Sequence, residues 1–201
     1  MDILIASSNK DKIREIRSIL QLPDVNLRTL DEFPGAPEVT EDGNTLYENS
    51  LKKASVLAEF TGLPTISDDT ALEVDALNGR PGIFSARYAG QKATYKDNVK
   101  KMIKDLSAVP EKDRKARFRT VAVFYHPEIV VSEEGIVEGV ILTECHGKGG
   151  FGYDPIFFVP EKGKTYAEMS SDEKNSISHR GKAFRKLHKS IKNTFLLVNN
   201  S

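Results

Sequence analysis

The stretch TGLPTISDDTALEVDALNGRPGIFSARYAG, from Thr61 to Gly90, carries two adjacent carboxylates, Asp68 and Asp69, in a strand-like setting. Apolar residues run directly into this pair, and beyond it apolar and acidic residues alternate, which is typical of a β-strand with one buried face. Two like charges at the mouth of a buried strand repel each other and lose hydration. A metal ion or a shared proton usually makes such a site tolerable. The alternative is a solvated turn that uses Asp for its turn chemistry.

The composition excludes several classes of protein. A chain of 201 residues suffices for one packed domain, or for two lobes that share a core. Its 29 basic and 29 acidic residues balance, which argues against a nucleic-acid partner. The single cysteine, Cys145, excludes an intramolecular disulfide and suits a reduced cytosolic protein. No apolar run reaches the ~20 residues that span a bilayer, and no signal peptide is evident, so we expect a cytoplasmic protein without a membrane partner.

The N-terminal segment predicts a strand, a polar turn and a helix. An apolar run opens the chain, the turn SSNKDK follows at residues 7–12, and isoleucines then recur at helical spacing. The turn offers hydroxyls, an amide and two lysines beside the N–H groups of a helix start, which together form a natural anion site. Plain N-capping by Ser8 or Asn9 explains the same residues, and both interpretations can hold together.

A second helix is predicted to begin at Thr45, which forms a capping-box pattern with Glu48. We expect Gly62 to end it. The expected apolar face consists of Tyr47, Leu51, Ala54 and Ala58. Lysines at its centre, including Lys53, are either solvated or lean towards a phosphate. The preceding segment, residues 24–42, contains several prolines and is expected to be irregular.

The later strands predict that part of the sheet is antiparallel. Residues 118–125 have strand composition, and residues 129–133 and 136–142 suggest a hairpin pair about Glu134-Gly135. Strands that meet through hairpins are antiparallel. A helix is expected at residues 94–106, where apolar residues recur on one face.

A glycine-rich loop, GKGGFGYDP at residues 147–155, has the letters of the GxGxxG dinucleotide motif but not its context, because a strand-like segment follows instead of a helix. In one interpretation a planar ring stacks on Phe151 and Tyr153 while the glycines allow close backbone approach. In the other, the loop is a tight connection whose aromatic side chains lie in the core. No Walker A motif is present, because Phe158 stands where the first glycine before Gly163-Lys164-Thr165 belongs.

A long helix is expected near the C-terminus, with Ser178 as its N-cap and His179 and Arg180 in its first turn. An arginine there opposes the helix dipole unless it has an anionic or acceptor partner, which favours a functional role. The predicted apolar stripe of this helix consists of Phe184, Leu187, Ile191, Phe195 and Val198.

Five blocks of the sequence, in order, resemble the inosine triphosphatase (XTP/dITP diphosphatase) family. They are SSNKDKIREI at 7–16, EDGNTLYENSLKKA at 41–54, SDDTALEVDALNGRPGIFSARYAG at 67–90, GGFGYDPIFFVP at 149–160 and EKNSISHRGKA at 173–183. The resemblance implies a single α/β domain over residues 1–201: an elongated, mixed, twisted central sheet flanked by helices, with two lobes and a cleft. It also implies a homodimer that uses Mg²⁺ to hydrolyse ITP, dITP and XTP to the monophosphate and pyrophosphate.

The resemblance further implies roles for individual residues. Glu41 and Asp69 match the metal-binding acids, Asp69 also matches the proton acceptor, and Asp68 would orient them. Lys12 matches the main charged contact of the triphosphate, and Lys53 is a second candidate. The other implied substrate contacts are Ser7, Ser8, Asn9, Lys10, Asp11, Thr70, Phe151, Gly152, Tyr153, Asp154, Lys174, His179 and Arg180.

The chemistry of these residue types suits such roles. Attack at the α-phosphorus of a triphosphate needs charge neutralisation. A carboxylate deprotonates the attacking water, or a metal lowers the pKa of that water, and the sequence leaves both open. Hypoxanthine and xanthine present an O6 acceptor and an N1–H donor, whereas adenine reverses both. Donors from His179 or Arg180 aimed at O6 would therefore disfavour adenine.

Two other functions compete with this expectation. The related septum-inhibition (Maf-like) nucleotide pyrophosphatases prefer pyrimidine or modified nucleotides, and the Ser178-His179-Arg180 block and the GGFGYDP loop argue against them. A nucleotide sensor or RNA-binding module would bind a purine nucleotide without releasing pyrophosphate, and the retained acidic residues argue against that class.

Overall fold

The computed structural model describes residues 1–21 and 25–198, with side chains described as far as residue 192. Within these ranges the strands are β1 (Asp2–Ile5), β2 (Asn26–Thr29), β3 (Thr65–Val74), β4 (Pro81–Gly82), β5 (Lys115–His126), β6 (Ile129–Ile141), β7 (Phe157–Val159) and β8 (Lys164–Thr165). The helices are α1 (Lys10–Ile19), α2 (Leu46–Thr61), α3 (Tyr95–Asp105), α4 (Ser171–Ile177) and α5 (His179–Val198). The fold is of the predicted α/β class.

The described strands form one mixed sheet. Its order is β2-β1-β3-β5-β6-β7-β8, and β4 pairs with β3. β1 runs parallel to β2 and to β3, whereas the β3–β4, β6–β7 and β7–β8 pairs are antiparallel. The parallel end follows from the crossover through α1, because parallel neighbours need a long connection. The prediction of a mixed sheet flanked by helices is confirmed.

The chain folds as two compact units. The first comprises residues 1–69, residues 120–135 and the chain from His179 onward, and the second comprises residues 70–119 and 136–178. Strands β3, β5 and β6 each contribute residues to both units. That a cleft lies between two lobes stays a prediction.

In the first unit, helices cover both faces of the sheet. Ile3 and Ile5 of β1 lie in one buried cluster with residues of α1 and α5, among them Phe184. Leu4, which lies between them in sequence, belongs to a second cluster with Leu57 of α2. Because successive strand residues point to opposite faces, α1 and α5 cover one face and α2 covers the other.

The core of the second unit is built around aromatic rings. The ring centroids of Phe118 and Phe157 are 4.6 Å apart, and those of Phe157 and Tyr166 are 5.0 Å apart. Val99 and Met102 of α3 belong to the same buried cluster. The helix predicted at residues 94–106 is therefore confirmed, with its apolar face in the core.

The predicted hairpin turn at Gly135 is wrong. The chain runs through this glycine as the single strand β6, and the turn lies instead at Pro127-Glu128, between β5 and β6. A Cβ at Gly135 would lie 2.0 Å from the backbone oxygen of His179 and 2.6 Å from the backbone nitrogen of Ala183. The glycine is thus needed for close approach of α5 to β6, and a sequence pattern does not separate that role from a turn.

Helix α2 begins after Thr45 as predicted, but its capping and its buried face differ from the prediction. Thr45 Oγ1 accepts a hydrogen bond from Glu48 N. Glu48 Oε2 accepts from Asn44 N and not from the cap residue, so the reciprocal half of the capping box is displaced by one residue. Tyr47, assigned to the apolar face, is 41% exposed, and Asn49 is buried. The buried face is therefore partly polar, which apolar periodicity cannot detect.

Several short elements, β2 and α4 among them, are absent from the sequence-based prediction. The segment expected to be irregular, residues 24–42, contains β2 and a 3-10 turn at Leu30–Glu32, while Asp24 itself lies outside the described residues. Helix α4 precedes α5, and the two are separated by Ser178 in an extended conformation. Both β2 and α4 are too short to establish a period of apolar residues.

Helix α5 begins at His179, as predicted. Phe184 and Leu187 of its apolar stripe are buried, whereas the predicted stripe residues Phe195 and Val198 lie outside the described side chains. Among the described helices, none has the length and apolar composition needed to cross a membrane.

Candidate functional site

Asp68 and Asp69 lie inside β3 and are buried, with 1% and 5% of their surface exposed. The solvated-turn interpretation of this pair is therefore wrong. Because neighbouring strand residues point to opposite faces of a sheet, the two carboxylates meet different helices. Asp68 contacts side chains of α1 and α5, whereas Asp69 contacts α2.

Asp68 lies between two cations. Lys12 Nζ is 3.1 Å from Asp68 Oδ2, and Arg180 Nη2 donates a hydrogen bond to the same oxygen at 3.0 Å. Arg180 Nη1 donates to Glu15 Oε2 at 2.6 Å. The guanidinium of Arg180 is fully buried, so it requires carboxylates of this kind around it. The expectation that an arginine in the first turn of α5 needs an anionic partner is confirmed.

These cations determine the protonation of Asp68. Burial by itself would raise the pKa of Asp68, because the charged form loses hydration. Lys12 and Arg180, followed by Lys53, outweigh burial and hold the pKa of the carboxyl below its ordinary value. Burial would likewise lower the pKa of Arg180, but the charges of Asp68 and Glu15 raise it instead. Asp68 is therefore ionised at neutral pH and serves as an anchor for two cations.

Asp69 has the opposite character. Burial raises the pKa of Asp69 above its ordinary value, and the positive charges of Lys53 and Lys12 offset this only in part. The negative charge of Glu41 adds to the rise in the pKa of Asp69. Asn49 Nδ2 donates to Asp69 Oδ2 at 3.0 Å. A carboxylate with a raised pKa is a better proton acceptor at neutral pH than an ordinary one.

Lys53 joins the loop before α2 to β3. Its Nζ lies 2.5 Å from Glu41 Oε1 and donates to the backbone oxygen of Asp68 at 2.6 Å. Burial would lower the pKa of Lys53, but the carboxylates around it, Glu41 first, raise it on balance. Lys53 is therefore a fixed cation at neutral pH. Its neighbour Lys52 is different, since it lies at the surface and pairs with the exposed Asp42.

Glu41 and Asp69 suit a magnesium ion that is shared with a substrate. Mg²⁺ is usually bound by one or two carboxylates together with phosphate oxygens and waters. Among the residues that the structure describes, no group of three or more His, Cys, Asp or Glu side chains could hold a metal ion by itself. Lys53 Nζ contacts both Glu41 Oε1 and the backbone oxygen of Asp68, so Glu41 lies beside the part of β3 that carries Asp69. The donor set fits Mg²⁺, and binding of the ion stays a prediction.

The predicted anion-binding turn, residues 7–12, is organised by Asn9. Asn9 Oδ1 accepts hydrogen bonds from the backbone N–H groups of Asp11 and Lys12, at 3.0 and 3.3 Å. Asn9 N donates to Ser7 Oγ at 3.2 Å. The N-capping interpretation is confirmed, and contact of this turn with a phosphate stays a prediction.

The other predicted contacts near these helix starts differ in exposure. Ser8 and Lys10 are exposed, and Asp11 is half-buried and pairs with Arg14. His179, the first residue of α5, is buried. Ser8 and Lys10 are therefore accessible to a ligand, whereas His179 is enclosed by the fold.

In the second unit, the predicted nucleoside-binding residues converge on Asp154. Asp154 Oδ2 accepts hydrogen bonds from Phe151 N at 2.8 Å and from Lys174 Nζ at 2.5 Å. Lys174 Nζ also lies 4.8 Å from the centroid of the Phe151 ring. Gly150 has a φ of +68°, and a Cβ there would lie 2.0 Å from Asp154 Oδ2. The glycine and the buried ion pair together fix the loop that carries Phe151.

The two aromatic residues of this loop have different surroundings. Tyr153 is buried, its hydroxyl donates to the backbone oxygen of Ser85 at 2.9 Å, and burial raises the pKa of Tyr153. The core interpretation is confirmed for this residue. Phe151 is half-buried, and its ring centroid is 5.8 Å from that of the exposed Tyr95. Of the two loop aromatics, Phe151 presents the larger surface to a planar ring.

The remaining predicted residues are Gly152 and Thr70. Gly152 has a φ of +63° and is half-buried in the loop. Thr70 follows Asp69 in β3 and is also half-buried. The predicted residues thus fall into two sets, one in each unit, and their joint contact with one substrate stays a prediction.

Two buried residues of the first unit, Glu15 and Asn49, were not identified as functional from the sequence. Glu15 holds Arg180, and Asn49 holds Asp69. Glutamate on a helix is usually solvated, so Glu15 carries no signal in the pattern. Asparagine is unfavourable in a helix interior, and its position within α2 was the one available indication for Asn49.

The chain is similar in sequence to one family of proteins and to relatives that share one name. The model of the Ham1 family matches residues 3–190. The dITP/XTP pyrophosphatase of Geobacter sulfurreducens is 49% identical over 182 residues, which cover 90% of this chain and 92% of that protein. The dITP/XTP pyrophosphatase of Desulforamulus reducens is 48% identical over 187 residues, which cover 92% and 93%.

Solved structures agree with these relatives. A HAM1 protein from Coxiella burnetii has a TM-score of 0.87 and 39% identity, and the match covers 96% of this chain and 99% of that one. The Staphylococcus aureus Ham1 protein has a TM-score of 0.86 and 37% identity, with 96% and 100% covered.

The mixed sheet flanked by helices is an α/β fold shared with the solved Ham1 proteins. The chain belongs to the Ham1 family. The resemblance inferred from five blocks of the sequence is thereby confirmed.

Proposed function

We propose that this protein is a nucleoside triphosphate pyrophosphatase that hydrolyses dITP, XTP and ITP to the monophosphate and pyrophosphate, with Mg²⁺. The relatives named dITP/XTP pyrophosphatase, which match most of the chain, support the activity. The observation that carries the proposal is the geometry around Asp68: Lys12 Nζ lies 3.1 Å from its carboxylate, Lys53 Nζ donates to its backbone oxygen at 2.6 Å, and Asp69 follows it in β3. This grouping combines fixed cations with a carboxylate suited to accept a proton.

The cations suit a triphosphate. Lys12 is held by Asp68 and Lys53 is held by Glu41, so both positive charges are located before a substrate arrives. Charges that are already in place require little reorganisation when negative charge develops on a phosphoryl group. We assign Lys12 and Lys53 to the phosphate oxygens on this ground.

Asp69 suits the role of proton acceptor for the attacking water. Burial raises the pKa of Asp69, so its carboxylate takes up a proton more readily than an exposed one. Asn49 fixes one oxygen of the carboxylate, which limits its rotation. Asp68, whose pKa is lowered, cannot perform the same role at neutral pH.

Glu41 and Asp69 would hold the magnesium ion. When bound, the ion neutralises phosphoryl oxygens and lowers the pKa of a bound water. The protein contributes two hard oxygen donors, and Lys53 keeps Glu41 beside β3.

We assign recognition of the purine to the glycine-rich loop and to the start of α5. Phe151 offers a half-buried ring for stacking, on a loop held by Asp154 and Lys174. The family resemblance implies His179 and Arg180 as donors to O6; because both are buried and Arg180 bonds Asp68 and Glu15, they would reach the base only after these contacts change. A site built to bond O6 and N1–H rejects a base that reverses them by up to ~10⁴–10⁵-fold.

The test is a pyrophosphate-release assay with dITP, XTP, ITP, GTP, ATP, UTP and dTTP, each with Mg²⁺ and with excess EDTA. We expect release from the first three that disappears in EDTA. Faster turnover of UTP or dTTP would favour a Maf-like activity. Nucleotide binding without pyrophosphate release would identify a sensor.

The family resemblance also leads us to propose a cytoplasmic homodimer. Sedimentation equilibrium of the purified chain tests the assembly. A mass equal to one chain at micromolar concentration would contradict it.

A further inference from the structure

The side-chain amide of Asn49 bonds two separate parts of the first unit. Its Nδ2 donates to Asp69 Oδ2 at 3.0 Å, and its Oδ1 accepts from Gly43 N at 2.8 Å. The residue is 1% exposed, so its side chain is shielded from bulk water. One buried amide therefore ties the loop that follows Glu41 to strand β3.

Lys53 makes a parallel connection one helical turn later. Residues four positions apart on a helix lie on one face, and Lys53 links Glu41 to the backbone oxygen of Asp68. The same loop and the same strand are thus joined twice by α2. Of the two connections, the one through Asn49 contacts the carboxylate of Asp69.

The loop packs closely against Asn49. A Cβ at Gly43 would lie 2.8 Å from Asn49 Oδ1 and 2.8 Å from Glu48 Cβ. The absence of a side chain at this position allows the backbone N–H of Gly43 to reach the amide. The position of the loop therefore depends on the side chain at residue 49.

This contact matters because Glu41 and Asp69 carry like charges. Two carboxylates that lie close to each other repel and move apart unless the structure opposes it. The amide of Asn49 is neutral and offers both a donor and an acceptor, so it restrains the pair without adding charge. A residue that orients metal-binding carboxylates from outside the coordination sphere typically contributes about 10–100-fold to metal affinity or activity.

We propose that Asn49 is a positioning residue that sets the orientation of Asp69 and its separation from Glu41. It is not assigned as a catalytic residue, since its bonds are to Asp69 and Gly43. The inference rests on the proposed function for the roles of Glu41 and Asp69 as metal ligands and of Asp69 as proton acceptor.

Two substitutions and one control test the proposal. Asn49→Ala removes both hydrogen bonds. Asn49→Asp has nearly the same shape and keeps an acceptor for Gly43 N, but it replaces the donor to Asp69 with an oxygen. The control is Ser50→Ala, which removes a neighbouring buried hydroxyl that bonds Ser67 Oγ at 2.7 Å.

Three measurements are made on each variant: kcat and KM for dITP with saturating Mg²⁺, calorimetric titration of the metal-free protein with Mn²⁺ alone, and urea unfolding. We expect both Asn49 variants to lose about 10–100-fold in kcat, with KM changed by less than about threefold. Asn49→Ala should bind Mn²⁺ about tenfold more weakly. Ser50→Ala should keep kcat and Mn²⁺ affinity within about twofold of wild type.

A kcat close to wild type in either folded variant would overturn the proposal, as would an equal loss in Ser50→Ala. If Asn49→Ala does not fold, the kcat of the near-isosteric Asn49→Asp decides. If the wild-type protein releases no pyrophosphate from dITP, the proposed function fails and the Mn²⁺ titration decides alone. Unchanged Mn²⁺ affinity in Asn49→Ala, or no Mn²⁺ binding by wild type, then overturns the inference.

Discussion

Arg180 Nη2 donates a hydrogen bond to Asp68 Oδ2 at 3.0 Å, although the two residues lie 112 positions apart in the chain and each is 1% exposed. Glu15 accepts from the other terminal nitrogen of the same guanidinium. A buried charge network of this kind adds little net stability, but removing one member leaves the others buried without compensation. Arg180 therefore organises the side of β3 that faces α1.

Arg180→Ala should lower the free energy of unfolding by about 3–5 kcal/mol, because Asp68 and Glu15 lose a buried cation. Urea unfolding measures this loss. Arg185→Ala, at an exposed position of the same helix, is the matched control and should cost less than about 1 kcal/mol. Equal losses in the two variants would show that the buried network has no special role.

Arg180→Ala should also narrow the preference for ITP over ATP more than it weakens metal binding. The physical reason is that a lost donor to O6 removes the penalty that adenine suffers. The ratio of kcat/KM for ITP and ATP, measured at a temperature where the variant is folded, checks this. An unchanged ratio would remove Arg180 from the base-recognition site.

Asp69→Asn should abolish turnover, with a fall in kcat of at least about 10³-fold, while the protein stays folded. Because burial raises the pKa of Asp69, its charged form is disfavoured in the folded protein. The neutral amide should therefore leave the free energy of unfolding at pH 7 unchanged or higher. Pyrophosphate release and urea unfolding are measured in parallel, and hydrolysis at the wild-type rate would remove Asp69 as proton acceptor.

Asp68→Asn should make the free energy of unfolding less dependent on pH under acidic conditions. The folded-state pKa of Asp68 lies below its unfolded value of about 3.9. Its ionised form therefore stabilises the fold above that value, and this contribution is lost as the pH falls. The free energy of unfolding of wild type and variant is measured by urea unfolding in EDTA from pH 7 to pH 3.5. The difference between the two proteins should shrink below about pH 5. A difference that is constant with pH would contradict the assignment.

Gly135→Ala should destabilise the protein by about 1–3 kcal/mol or more, because the new methyl group would meet the backbone of His179 and Ala183. Thermal or urea unfolding gives the value. Ser132→Ala, at an exposed position on the same strand, should change stability by less than about 0.5 kcal/mol. If the two substitutions cost the same, close helix–strand contact is not the reason for the glycine.

The parts of the fold with long periodic patterns were predictable from the sequence. The helices at residues 10–19 and 95–105 and the strand at residues 115–126 follow from apolar spacing. The predicted hairpin at Gly135 was wrong because a glycine that allows close packing of a helix cannot be distinguished, in the sequence, from a glycine in a turn. Short elements such as β2 and α4 gave too few residues for a period.

The site could be predicted where charged residues interrupt an apolar strand pattern, as the adjacent Asp68 and Asp69 do. Their unlike surroundings were not, since these depend on side chains of α1, α2 and α5 that are far away in sequence. Glu15 illustrates the limit, because a helical glutamate resembles a solvated one until the buried Arg180 is located. Long-range pairing of this type has no local signature.

The alternation of Asp68 and Asp69 across β3 also has a consequence for folding. A slip of one residue in strand registry would turn Asp68 towards α2 and away from the cations that compensate it. Such a misaligned sheet would carry an uncompensated buried anion, so it would be strongly disfavoured. The two acids therefore help to specify the register of the central strand. The same pair is thus important both for the proposed chemistry and for correct folding.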